Sequence, residues 1–251
     1  MGNTKMRDGL GLTWLGVVWI LRAAVVCLGD CAEAAEPIAH WEMEEVQAGV
    51  LEDAARNGHD GVHFGEEKPA VVDGIVGKAL AFDGQAAGGL TVAKSEDFHL
   101  PQGLSVMAWI KPGERGAAYE ILCMKGDQSG DPPWPGWRFR YFWSRVSFEF
   151  GTTDGRQVRV SSAEWSTPAG FWSHVAAVYD GQRVRLYVNA SLVVEQGVEG
   201  ELARQKRPVI VANYVGRKNA YAFHGALDEV KVFDGCLSED EVFAEACRGM
   251  P

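Results

Sequence analysis

Apolar and polar residues alternate in short runs along most of this chain, and turn-forming residues separate the runs. Successive side chains of a strand point to opposite faces, so such runs predict half-buried strands of an all-β sandwich. In Arg183-Val184-Arg185-Leu186-Tyr187-Val188 the aliphatics share one face. Asp180-Gly181 just before it favours a tight hairpin with the run Trp172 to Tyr179. Trp137, Phe139 and Tyr141 alternate with Arg138 and Arg140, and Val146, Phe148 and Phe150 with Ser147 and Glu149. The spacing predicts loops at Gly126–Gly136, Thr152–Gly155 and Ala212–Ala220, and one short helical turn over Leu51–Arg56. A true helix is predicted only at the C-terminus. There Ser238 and Glu241 form a capping box, Asp240 favours the helix dipole, and Leu237 and Val242 can staple across the cap. No repeat or low-complexity linker divides the chain, which reads as one domain over residues 37–249.

The strand Phe223 to Phe233 carries an acid within its apolar alternation. Strict period two places Asp228 with Ala226, Val230 and Val232, and turns Glu229 away with Lys231. A carboxylate facing a core needs a cation or several donors. Asp228 is therefore either a structural ligand or a well-satisfied internal anchor.

This ending, with its Leu-Asp-Glu-Val run and Leu-Ser-x-x-Glu helix start, resembles the last strand of laminin G-like, concanavalin A-like jellyroll domains. Other segments follow the same order. His40-Trp41-Glu42-Met43-Glu44-Glu45 is similar to the opening strand, and Asn57-Gly58-His59-Asp60-Gly61 to the next turn. Gly77-Lys78-Ala79-Leu80-Ala81-Phe82-Asp83-Gly84, Leu104 to Pro112, and Trp172 to Gly181 are similar to later strands. The resemblance covers about His40 to Cys247 and implies a two-sheet antiparallel jellyroll β-sandwich with a short C-terminal helix. It also implies that the first and last strands are neighbours joined by a structural calcium ion. Asp228, Glu44 and Asp53 are then the expected ligands, although the family usually has Asp where Glu44 stands.

The chain begins with Lys5 and Arg7, an apolar run from Leu10 to Leu21, and the small-x-small triplet Ala32-Glu33-Ala34. This reads as a signal peptide over residues 1–34, so the mature chain is expected to be secreted, periplasmic or on the cell surface. No later run is long and apolar enough for a membrane span. The net charge of -10 argues against nucleic acid or anionic lipid as partner. Three cysteines, Cys123, Cys236 and Cys247, follow the leader. An odd number rules out a fully paired framework, and buried free thiols are expected.

Two regions suggest a binding surface. One is the aromatic stretch with Trp134 and Trp143 at turns, flanked by Arg138, Arg140 and Glu149. Aromatic rings stack on the apolar faces of sugars while polar groups take the hydroxyls, but aromatic residues also dominate sandwich cores. Phe139, Phe148 and Phe150 are expected in the core, and for Trp134 and Trp143 both readings stand. The other is the loop Asn213 to Tyr221, where Tyr214 is the candidate contact. His59 and His63 form a weak zinc pattern, and His174 reads as a hydrogen-bonded structural residue. The paired acids of jellyroll glucanases, in a Glu-x-Asp-x-x-Glu order, do not occur, nor does a nucleophile elbow or phosphate loop. The expectation is a non-catalytic carbohydrate-binding module. The alternatives are a protein-binding or adhesion domain of the envelope and, behind it, a glycoside hydrolase with an unusual acid pair.

Overall fold

The alternating runs become strands β1 (Ala39–Trp41), β2 (Val50–Leu51), β3 (Gly61–Phe64), β4 (Ala70–Asp73), β5 (Lys78–Asp83) and β6 (Gly89–Val92). There follow β7 (Leu104–Pro112), β8 (Glu120–Gly126), β9 (Gly136–Phe142), β10 (Arg145–Gly151) and β11 (Gln157–Ser161). The chain ends with β12 (Ser173–Tyr179), β13 (Arg183–Val188), β14 (Ser191–Gly197), β15 (Val209–Val211), β16 (His224–Asp234) and the helix α1 (Glu239–Cys247). The structure is a computed structural model that describes residues 35–85, 88–92, 94–114, 119–126, 132–214 and 221–248. These all belong to one unit, Ala34–Pro251. The expected leader, with Cys27 and Cys31, lies outside the described residues.

Two antiparallel sheets stack face to face. The first has the order β14-β13-β12-β7-β16-β5-β4, with β1 also paired to β16, and the second β11-β10-β9-β8-β15-β6-β3-β2. The first and last strands are neighbours, Ala39 opposite Val232 and Trp41 opposite Val230. Trp41, Trp137, Phe139, Phe148, Phe150 and Tyr179 fill the space between the sheets. Burying each such side chain contributes roughly 1.5–3 kcal/mol. Because Trp137, Phe139 and Tyr141 point inward, alternation sends Arg138 and Arg140 to the outer face of the second sheet.

Helix α1 covers the outer face of the first sheet. Ser238 accepts from the backbone of Glu241 and Glu241 returns the bond, the capping box expected from the sequence. Leu237 and Val242 pack together on Phe233, Met107 and Tyr187. No helix among the described residues is long and apolar enough to cross a membrane.

Three local expectations are corrected. Leu51 ends strand β2, and the segment after it is an irregular turn organised by Asp53 rather than a helical turn. All three thiols are free, but only Cys123 is buried, while Cys236 before α1 and Cys247 at its last residue are exposed. The face of Asp228 is also reversed. Strand β16 bulges between Asp228 and Lys231, with Glu229 at φ 50°. The extra residue shifts the phase of alternation. Leu227, Val230 and Val232 point into the core, while Asp228 lies opposite Trp109 on the outer face.

Candidate functional site

The outer face of the second sheet holds a cavity of about 220 Å³ lined by Tyr119, Trp134, Arg140, Arg159 and Tyr221. Strand register explains its charge pattern. Glu149 on β10 stands between Arg138 on β9 and Arg159 on β11, and Arg140 is one pair further along β9. Glu149 Oε2 is 2.8 Å from Arg140 Nη2 and accepts from Arg159 Nε at 2.6 Å. Two guanidinium groups thus share one carboxylate oxygen. Arg140 is only 2 % exposed, and burial holds its pKa below the usual guanidinium range. Its guanidinium lies 5.2 Å from the Tyr119 ring centre, and that of Arg138 lies 5.4 Å from the Trp134 ring.

An aromatic strip runs from this cavity to the tip of the β9–β10 hairpin. Tyr119 stacks on Phe142 at 4.5 Å, and Phe142 on Trp143 at 5.7 Å. The hairpin turns through Trp143 and Ser144 alone, with φ of 45° and 60°. That geometry normally falls to Asn-Gly or Asp-Gly. A bulky residue in the left-handed region is an outlier of the kind that clusters at functional sites. Trp143 is 66 % exposed. Ser144 accepts a backbone bond from Trp165, another exposed tryptophan.

The residues expected to contact ligand therefore divide. Arg140 and Trp134 line the cavity, but Trp134 is half-buried beneath Arg138. Trp143 is open to solvent, yet it follows β9 whereas Trp134 precedes it, so the two cannot act as one clamp. Arg138 and Arg140 form the anticipated polar face, but neither is solvated. Tyr214 is buried and packs edge-on against Tyr221 at 5.7 Å, supporting the cavity wall without lining it. Most of its predicted loop, residues 215–220, lies outside the described residues. Phe139, Phe148 and Phe150 are core, as expected. Sequence reasoning missed Tyr119, Arg159 and Trp165. For Arg159 a signal existed, since it alternates with Val158 and Val160 one strand from Glu149.

The three residues expected to bind calcium are not brought together. Asp53 is saturated: Oδ1 accepts from the backbone of His40 and Ala55, and Oδ2 from Asn57 and His59. Its oxygens have no lone pair left for a cation, so Asp53 does not fit. Asp228 and Glu44 instead converge on the turn between β4 and β5. Asp228 Oδ2 accepts from Ile75 N at 2.7 Å and Val76 N at 3.0 Å, and both Glu44 oxygens lie 3.1 Å from Lys78 N. Asp228 Oδ1 is buried without a partner, and burial pushes the pKa of Asp228 up to about 6. Gly74 and Gly77 allow this close approach. A Cβ at Gly74 would sit 2.6 Å from Asp228 Oδ2, and one at Gly77 would overlap Glu44. An orphaned buried carboxylate oxygen at a glycine turn that a second carboxylate also contacts fits a hard cation. Among the described residues, no cluster of three or more His, Cys, Asp or Glu side chains has metal-binding geometry. His59 is already bonded to Ile38 O and Asp97. His174 is buried edge-on against Trp109 and exchanges hydrogen bonds with Asn189 through its backbone, while its ring Nδ1 has no partner among the described residues. Burial pushes its pKa down to about 4.

Residues 83–243 match the concanavalin A-like lectin/glucanases superfamily, and the chain belongs to that family. No curated protein matches it in sequence. Its fold is similar to the binding domain of Paraclostridial Mosquitocidal Protein 1, with 15 % identity, TM-score 0.66, and coverage of 85 % of this chain and 52 % of that one. It is similar to domain 4 of AbnA, an extracellular arabinanase from Geobacillus stearothermophilus solved with arabinotriose. That match has 18 % identity, TM-score 0.60, and coverage of 85 % of this chain and all of that one. A third is the binding domain of botulinum neurotoxin serotype G, at 12 % identity, TM-score 0.63, and coverage of 84 % and 50 %. The chain spans about half the length of the two toxin binding domains.

Proposed function

We propose that this chain is an exported, non-catalytic module that binds glycans on the outer face of its second sheet. A sugar ring enters the cavity between Tyr119, Trp134 and Tyr221, and the glycan continues along Phe142 and Trp143. The observation that carries this reading is the continuous aromatic strip leading from a strained, exposed tryptophan into a cavity floored by a guanidinium. Sugar sites combine apolar walls with a few fixed polar groups in this way. The likeness to an arabinanase domain solved with arabinotriose supports the same reading. Binding without cleavage is supported by the cavity's chemistry. Its described lining has no acid, and Glu149 beneath it is engaged by two arginines, whereas glycosidases need a free carboxyl pair.

We further propose that Asp228 and Glu44 hold a structural calcium ion at the turn between β4 and β5, without Asp53. The ion would supply the charge that Asp228 Oδ1 lacks. A glycan array probed with residues 37–249, with and without chelator, tests the main reading. Saturable glycan binding lost on replacing Trp143 and Tyr119 supports it. A second reading, adhesion to an envelope protein, draws on Trp143 and Trp165 standing exposed at one hairpin tip. A silent array with specific capture of a protein partner would favour it.

A further inference from the structure

Burying a guanidinium is costly unless an anion and good hydrogen bonds meet it. Arg140 has neither in full. Its Nε and Nη2 have no hydrogen-bond acceptor among the described residues, although Nη2 approaches Glu149. The Glu149 oxygen it approaches is already the acceptor for Arg159. Among the described residues, Glu149 is the carboxylate whose charge acts on Arg140, and Arg159 and the hydroxyls of Tyr119 and Tyr221 act on it too. Among the described residues the cavity is thus lined by two cations, Arg140 and Arg159, that share one anion, and a third cation, Arg138, lies against the lining Trp134. This excess is a local feature of a chain whose overall charge is -10.

We propose that the cavity selects an anionic sugar, whose carboxylate or sulfate group docks against Arg140 and Arg159 while its ring packs on Tyr119 and Trp134. A guanidinium offers planar, paired donors that match an oxyanion, and charge-assisted bonds of this kind are about twice as strong as neutral ones. At about 220 Å³ the space is smaller than the usual ~300–1,000 Å³ of small-molecule sites, which suits one charged ring of a longer chain.

This inference rests on the glycan-binding reading, and its test separates the two. Calorimetry on residues 37–249 would compare three hexasaccharides: mannuronate from alginate, a sulfated galactan from carrageenan, and neutral mannohexaose. The expected result is roughly ten-fold tighter binding of an anionic hexasaccharide than of mannohexaose, as for one charge-assisted contact. That margin should shrink between ~20 and ~200 mM salt. The uronate and sulfate arms identify which oxyanion is preferred. Arg159→Gln is the informative variant, because the Arg159 side chain is 41 % exposed and its loss leaves Arg140 with Glu149. It should narrow the anionic preference roughly five-fold. Arg140→Lys, which keeps the charge and loses the fork, should narrow it too. Mannohexaose binding as tightly as both anionic probes would overturn the inference and leave glycan binding standing. Binding of none of the three, with a silent array, would overturn both.

Discussion

Asp53 lies buried with four backbone donors on its two oxygens, an arrangement that organises the segment after β2 around one side chain. Glu120 is buried with far less help. His224 N donates to its Oε2 at 2.8 Å, and burial pushes its pKa up to about 7. The folded chain therefore holds this proton more tightly than the unfolded chain, whose value lies near 4.5. Glu120's contribution to stability is full below about pH 4.5, falls as pH rises to about 7, and is flat above. Glu120→Gln keeps the acceptor and removes the titration. Its melting temperature should match the parent at about pH 4 and exceed it at about pH 8. A difference independent of pH would refute this account of Glu120.

At the scale of the element, the β9–β10 hairpin holds two left-handed residues where glycine or asparagine would be relaxed. Ser144→Gly should stabilise the fold by about 1 kcal/mol, read from chemical denaturation. Trp143→Asn tolerates the same backbone and removes the exposed ring. Stability should hold or rise while glycan affinity falls, the trade expected where strain serves a site. Equal affinity for Trp143→Asn would remove the tip from the binding surface. The bulge in β16 is the matching device on the other sheet. At the point where β16 leaves β5 and joins β1, it turns Asp228 outward to meet the β4–β5 turn.

At the scale of the molecule, that meeting ties together residues 44, 75–78 and 228, so the proposed ion would brace three distant parts of the sandwich. Extracellular calcium sites bind at ~0.1–1 mM. About 10 mM calcium should then stabilise the fold by about 2 kcal/mol, roughly 4–8 °C in melting temperature. Asp228→Asn should abolish the response, and Asp53→Asn should keep it. Equal shifts in the parent and in Asp228→Asn would end the proposal.

The residues themselves determined the alternating strands of a sandwich, the capped helix and the core positions of Phe139, Phe148 and Phe150, whereas the jellyroll arrangement with adjacent first and last strands was implied by the family resemblance. Period-two alternation and helix capping are local, so they are written in consecutive residues. Cross-strand chemistry is not. Tyr119, Arg140, Arg159 and Tyr221 come from separate segments, and only register makes Glu149 the shared partner of two arginines. The bulge at Glu229 likewise reversed the face of Asp228, because one unpaired residue inverts every side chain beyond it. Tertiary structure also saturated Asp53 and left Asp228 Oδ1 open, a distinction set by which backbone donors fold back onto each carboxylate.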